Sequence, residues 1–228
     1  MKKKIERLQE YLNKQGVNEA STKVLEAGCG SASHLSFGDH AYMVGIDISM
    51  EQLKRNNRLD EKIVGDLQNY HFSPSSFDII VCWDVLEHLS KPELALREFL
   101  NAIKEDGLIV LKMPNILSVK GIVTKLLPLS LHVAFYRHVH KRINAGKDDI
   151  GPFKTFLRLS IAPKSIKKFA GQNGLRIGYY DTFDVSHAEW FKKIKIVYVP
   201  YMAIVTIFKA ASFGFLGDSD FVIVLQKK

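Results

Sequence analysis

The run Val24-Leu25-Glu26-Ala27 leads into Gly28-Cys29-Gly30-Ser31-Ala32, a buried strand that ends in a glycine bend. Glycines there let the backbone turn tightly and let a ligand approach with no β-carbon in the way. Dinucleotide sites carry a third glycine at a fixed offset. Here that position is Ser33, which removes the close packing that brings a pyrophosphate to a helix N-terminus. Glu26, an acid at the strand's carboxyl end, would repel a pyrophosphate and favour a cationic ligand.

A second carboxylate, Asp47, follows Val44-Gly45-Ile46, 17 residues after Gly30. At a strand tip it can accept hydrogen bonds from both ribose hydroxyls of a nucleoside. Asp66, in Gly65-Asp66-Leu67, ends a third strand and can accept from an adenine amino group. Together these residues describe a pocket for a neutral nucleoside joined to a positive centre. Each also has a plain structural use: the glycines in a tight turn, Asp47 as an N-cap, Asp66 as a turn former.

These tips need a sheet behind them. Seven strands are expected, at Lys23–Ala27, Tyr42–Ile46, Ile63–Val64, Phe77–Val81, Leu108–Met113, Leu175–Tyr180 and Phe221–Leu225. Helical stretches alternate with them, which predicts an α/β fold with helices on both faces. Met50–Asn57 and Pro92–Ile103 read as helices, the second with Ser90 as N-cap and Glu93 closing a capping box. Ile5, Leu8, Tyr11 and Leu12 form an apolar stripe on an N-terminal helix within residues 1–22.

At 228 residues and 46% hydrophobic content, the chain can bury a core without disulfides or structural metal, and a single domain over residues 1–228 is expected. Its two cysteines, Cys29 and Cys82, lie in apolar runs without a CxxC partner, which fits a reducing compartment. Met1-Lys2-Lys3-Lys4 is followed by polar residues where a secretory signal would be apolar. A cytoplasmic setting is expected, with peripheral contact at the inner membrane face as an option.

Two stretches exceed a minimal α/β unit. Residues 114–160 form a basic insertion, and residues 114–168 carry 11 basic and 2 acidic side chains against a whole-chain net charge of +8. A connection of that length is usually functional, often a lid, and its charge favours a phosphate-bearing partner, another anionic one, or an anionic membrane face. Residues 186–218 form an apolar, aromatic insertion with 13 uncharged residues from Ile196 to Phe208, too few for a bilayer span of about 20. A helix packed on its own domain is expected there. Trp190, Phe191, Tyr198 and Tyr201 suit either a buried or an interface-lying segment.

Val24 to Ala32, Gly45 to Ser49, Gly65-Asp66-Leu67 and Phe77 to Leu89, in this order, resemble the motifs of class I S-adenosylmethionine-dependent methyltransferases. The resemblance implies a Rossmann-like, seven-stranded, mostly parallel sheet with an antiparallel last strand, and S-adenosyl-L-methionine as cofactor. It implies that Glu26, Gly28 and Gly30 line the methionine part, Asp47 holds the ribose, and Asp66 and Leu67 hold the adenine. Cys29, Ile48, Trp83 and Asp84 complete the cofactor-contacting set. Asp84, Glu87 and His88 also resemble a divalent-metal cluster of some quinone and RNA-end methyltransferases; a site without metal is the primary expectation. Met113-Pro114-Asn115 followed by a basic insertion resembles family members that methylate sugars of surface glycans or lipid-linked intermediates.

The expected reaction is in-line transfer of the sulfonium methyl to an acceptor oxygen. His88 is the expected base, with His132, His138 and His140 behind it. Arg137, His138, Lys141 and Arg142 are expected to hold an anionic group on a small or lipid- or glycan-linked acceptor. Gly28→Val is expected to abolish cofactor binding while leaving the protein folded. The rivals are a nucleic-acid-binding or RNA-methylating protein, an NAD-dependent oxidoreductase, and a catalytically silent partner subunit. Apolar runs such as Leu126 to Leu131 are unlike an exposed nucleic-acid groove.

Overall fold

The computed structural model describes residues 2–17, 22–138, 141–147, 151–184, 192, 195–211 and 218–228. Seven strands form one sheet: β1 (Lys23–Ala27), β2 (Tyr42–Asp47), β3 (Glu61–Val64), β4 (Phe77–Trp83), β5 (Ile103–Pro114), β6 (Arg176–Phe183) and β7 (Asp220–Gln226). Their order is β3-β2-β1-β4-β5-β7-β6. Pairing is parallel from β3 through β5, and β7 inserts antiparallel between β5 and β6. The expected strands and the reversed last strand are all present.

The central strands are apolar on both faces, as crossover helices require. On one face Leu25, Val44, Ile46, Ile80 and Ile109 pack with Ala95, Leu96 and Phe99 of α3 (Pro92–Ala102) and with Ile166 and Ala170 of α6 (Pro163–Gln172). On the other, Val24, Met43, Ile79, Val81 and Val110 pack with Leu8 and Leu12 of α1 (Lys2–Lys14) and with Leu35 and Phe37. The stripe read from the sequence is thus the buried face of α1. The short helix α2 (Met50–Arg55) is N-capped by Ser49, whose hydroxyl accepts the Gln52 N–H at 3.1 Å.

One cap differs from expectation. The residue before α3 is Lys91, without a side-chain cap, and the Ser90 hydroxyl instead donates to Gln68 Oε1 at 2.9 Å. The same oxygen accepts the Lys91 N–H at 2.8 Å. Gln68, in the loop after β3, therefore replaces the expected capping box with a long-range tie.

The basic insertion contains α4 (Val119–Leu126) and α5 (Leu129–His138). Ser118 caps α4, accepting the Gly121 N–H at 3.0 Å. Helix α7 (Lys195–Ala211) lies in the second insertion and touches α4. It packs on its own domain along one side only. Val205 is buried, but Ile196, Val199, Ile204 and Ile207 are exposed. An unbroken apolar run reads as core, and nothing in the pattern shows that its outer side lacks cover. Trp190, Phe191 and His140 lie outside the described residues.

Candidate active site

Parallel pairing brings the carboxyl ends of β1, β2 and β4 side by side. Ala27 is opposite Ile46 on one flank and Cys82 on the other. The turn after β1 is anchored by Ile46, whose carbonyl accepts the N–H of Gly28 at 2.7 Å and of Cys29 at 3.2 Å. Gly28 and Gly30 both adopt left-handed backbone, with φ of 71° and 53°, a region that favours glycine.

Asp47 fastens the bend from the neighbouring strand. One carboxylate oxygen accepts the Gly30 N–H at 2.9 Å and the other accepts the Ser49 N–H at 2.9 Å. Each oxygen retains a second lone-pair site, so a vicinal diol can be received without breaking either bond. The adjacent Ile48 is 74% exposed. A β-carbon on Gly30 would meet only Gln52 Oε1, at 3.9 Å, so this side of the bend is open.

Glu26 is buried, and its carboxylate accepts the Ser33 hydroxyl. Burial pushes its pKa up, with Ser33 and the charge of Arg58 opposing. A carboxylate held out of water gains from an ammonium or sulfonium neighbour. Ser33 thus does more than omit a glycine: it orients the acid. Glu26, Gly28 and Cys29 line a narrow hollow together with His34 and Trp83, which stack at 5.2 Å between ring centroids. The hollow encloses about 10 Å³. Sequence reasoning missed His34, whose stacking partner lies far along the chain on β4; its loop position carries no signal.

Other expected residues fall into different roles. Burial, reinforced by Asp47 and Glu26, pushes the Cys29 thiol up to about 12, so it is a neutral lining group. Leu67 lies in the core, so its side chain does not line the hollow. Asp66 accepts the Gln68 N–H at 2.9 Å and the side-chain amides of Gln68 and Asn69, which realises its turn-forming use.

Asp84, in left-handed backbone with φ 53°, gives both carboxylate oxygens to Lys112 Nζ, at 2.6 and 2.7 Å. Lys112 is buried and also reaches Asp220 at 3.2 Å, and Asp220 binds Lys120 of α4 at 2.8 Å. This ion chain runs from the tip of β4 to the insertion. It also occupies the first member of the metal alternative: among the described residues no group of three His, Cys, Asp or Glu converges to hold a metal ion. Glu87 is buried with Oε2 lacking a hydrogen bond, and burial, with the nearby Asp84, drives its pKa well up.

The glycine bend meets the β4 tip directly. A β-carbon on Gly28 would coincide with the Val85 side chain, so Gly28→Val would disrupt packing. The variant is therefore expected to cost stability as well as cofactor binding.

His88 follows Glu87, whose carbonyl accepts the N–H groups of Phe156 and Leu157 at 2.8 and 3.2 Å. His88 Nδ1 bonds the Lys154 carbonyl at 2.8 Å. A carbonyl only accepts, so Nδ1 carries the proton and Nε2 holds the lone pair. Burial lowers the His88 pKa, opposed by the Lys154 carbonyl and Asp84. The ring is neutral near pH 7, as a base must be. His132, on α5, is also lowered by burial.

Arg137, His138, Lys141 and Arg142 gather at the end of α5. Arg137 Nε donates to the Ala145 carbonyl at 3.0 Å, and the Arg142 guanidinium lies 5.7 Å from the Tyr136 ring centroid. Among the described residues no hydrogen bond or ring contact links these four to the hollow.

A methyltransferase-domain family model matches residues 1–145. A ubiquinone biosynthesis O-methyltransferase of Glaesserella parasuis is 31% identical over 119 residues, covering 46% of this chain and 50% of that protein. The chain spans about half the length of the curated relatives it matches. Among solved structures, a SAM-dependent methyltransferase from Archaeoglobus fulgidus superposes with TM-score 0.52 at 16% identity, covering 98% of this chain and 94% of that one. The phosphoethanolamine N-methyltransferase 2 of Haemonchus contortus, in complex with S-adenosyl-L-methionine, gives TM-score 0.56 at 16% identity, covering 96% and 51%. With the strand order, the glycine bend and the acid at the β2 tip in place, the chain belongs to the class I S-adenosylmethionine-dependent methyltransferases, and S-adenosylmethionine is the cofactor that its donor set fits.

Proposed function

We propose that this protein transfers a methyl group to a hydroxyl oxygen of an anionic acceptor carried on a lipid or glycan, with His88 as general base. The observation that carries the reading is the Nδ1 bond of His88 to the Lys154 carbonyl, which leaves Nε2 as the proton acceptor. Oxygen as the receiving atom is supported by relatives named ubiquinone biosynthesis O-methyltransferases.

When bound, S-adenosylmethionine would supply a sulfonium methyl whose carbon an acceptor oxygen attacks in line, the carbon–sulfur bond breaking to leave S-adenosylhomocysteine. Asp47 and Ile48 would hold the ribose side, Glu26 with Gly28 and Gly30 the methionine side, and Asp66 with the Leu67 backbone the adenine. Nε2 of His88 takes the hydroxyl proton as the oxygen–carbon bond forms, an effect worth about 10² to 10⁴ in rate. Alignment of the reacting atoms supplies more, about 7 to 11 kcal/mol. Arg137, His138, Lys141 and Arg142 would meet the acceptor's anionic group, the guanidinium groups being suited to paired contacts.

A labelled-methyl assay tests the reading. Purified protein and S-adenosylmethionine carrying a labelled methyl are incubated with a lipid extract and with soluble phenols and sugars. Label recovered in an ether bond to an extracted lipid or glycan, and lost with His88→Ala, is the expected result. Label recovered only on nitrogen, or transfer unaffected in the variant, contradicts it.

A further inference from the structure

Helix α7 presents a continuous apolar stripe outward. Ile196, Val199, Ala203 and Ile207 recur at helical spacing, with buried Val205 on the opposite side. Ile196 is 87% exposed. Helix α4, in contact with α7, adds Leu126 at 76% exposure. Exposed apolar groups scattered singly need no explanation, but two touching helices that both turn such residues outward mark an interaction surface.

The charge around it narrows the partner. Lys125 of α4 and Lys195 of α7 are exposed on the two helices themselves, and residues 114–168, which include α4, hold 11 basic side chains against 2 acidic. A second copy docking on this surface would set like charge against like charge. An anionic lipid surface pairs with both features, taking the apolar stripe into the acyl boundary and the lysines at the headgroups. Among the described residues no helix is long and apolar enough to cross a membrane, so the helix would lie in the interface plane.

We infer that α7 and α4 form a docking surface for bilayers rich in anionic phospholipid, with α4 in the basic insertion that also carries the proposed acceptor-binding residues. The relevance to catalysis rests on the lipid-linked acceptor proposed above; docking itself requires no methyl transfer.

The test is sedimentation of the full chain with vesicles, made either of phosphatidylglycerol and phosphatidylcholine in equal parts or of phosphatidylcholine alone. The expected result is sedimentation with the mixed vesicles at least about tenfold above that with phosphatidylcholine, weakened by high salt. Ile196→Glu combined with Ile207→Glu, and separately Leu126→Glu, should lower it about tenfold, since a charge replaces an apolar group at the acyl boundary. Both variants change outward-facing side chains, and retained thermal unfolding and S-adenosylhomocysteine affinity would show an intact fold. Failure to sediment, equal sedimentation with both vesicles, or sedimentation unaltered in the variants overturns the inference. Self-association that these substitutions abolish, without vesicle binding, would assign the surface to a second copy and also overturn it. If the methyl-transfer reading fails, vesicle binding stays as described, so the two failures are distinguishable.

Discussion

The Asp47 carboxylate accepts the backbone N–H of Gly30 at 2.9 Å, joining the tip of β2 to the bend after β1. Asp47 is therefore a structural clamp as well as the proposed ribose acceptor. The N-cap use that the sequence offers for Asp47 falls to Ser49, and the clamp leaves lone pairs on the carboxylate for a diol.

His88, the proposed base, keeps its Nε2 lone pair because Nδ1 bonds the Lys154 carbonyl. His88→Ala should lower turnover about 10² to 10⁴-fold while S-adenosylhomocysteine affinity stays within about threefold, as expected for a group that acts on the acceptor proton. Calorimetry and steady-state rates on the same preparation check the split. A matching loss of affinity would make His88 a binding residue instead.

The pH profile follows in sign. Burial holds the His88 pKa below 6.5, so its neutral form persists at neutral pH and is lost on acidification. The logarithm of kcat should fall with decreasing pH on a limb lying below that value, and be flat with respect to this group above it. The limb should vanish in His88→Ala. A limb centred above pH 7, or one that survives the substitution, counts against the assignment.

Lys112 neutralises two acids from a buried position. Lys112→Met should cost about 3 kcal/mol, the lower end for breaking a buried pair, since Lys120 still serves Asp220. Denaturant titration reads this directly. A loss under about 1 kcal/mol would mean that the ion chain is solvated and weak, as exposed pairs are.

Gly28 and Val85 compete for one space. Gly28→Ala should destabilise the fold by about 1 to 2 kcal/mol through left-handed backbone, with a further contribution of about 1 to 3 kcal/mol from overpacking. Adding Val85→Ala should return the second part and leave the first. Equal stability of the single and double variants would refute the overlap.

The strands were legible because both sheet faces are buried, which turns β1, β2, β4, β5 and β7 into near-continuous apolar runs. The glycine bend and Asp47 were legible because their roles are set by backbone geometry close in sequence. What stayed hidden depends on distant partners. Gln68 displaced the expected Ser90 cap, Trp83 found His34, and the partners of Lys112, Asp84 and Asp220, lie 28 and 108 residues away. The Leu67 side chain lies in the core, which leaves its backbone for the proposed adenine contact. The exposure of α7 was hidden because an unbroken apolar run looks the same whether covered or bare.

The proposed cofactor site sets the S-adenosylmethionine ribose on Asp47, beside the bend after β1. Isothermal titration of the wild-type chain and of Asp47→Ala, with S-adenosylmethionine and with NAD, tests it most directly. The expected result is binding of S-adenosylmethionine and not NAD, weakened in the variant by about 1 to 3 kcal/mol. Equal affinity in the two proteins, or binding of NAD in preference, would contradict it.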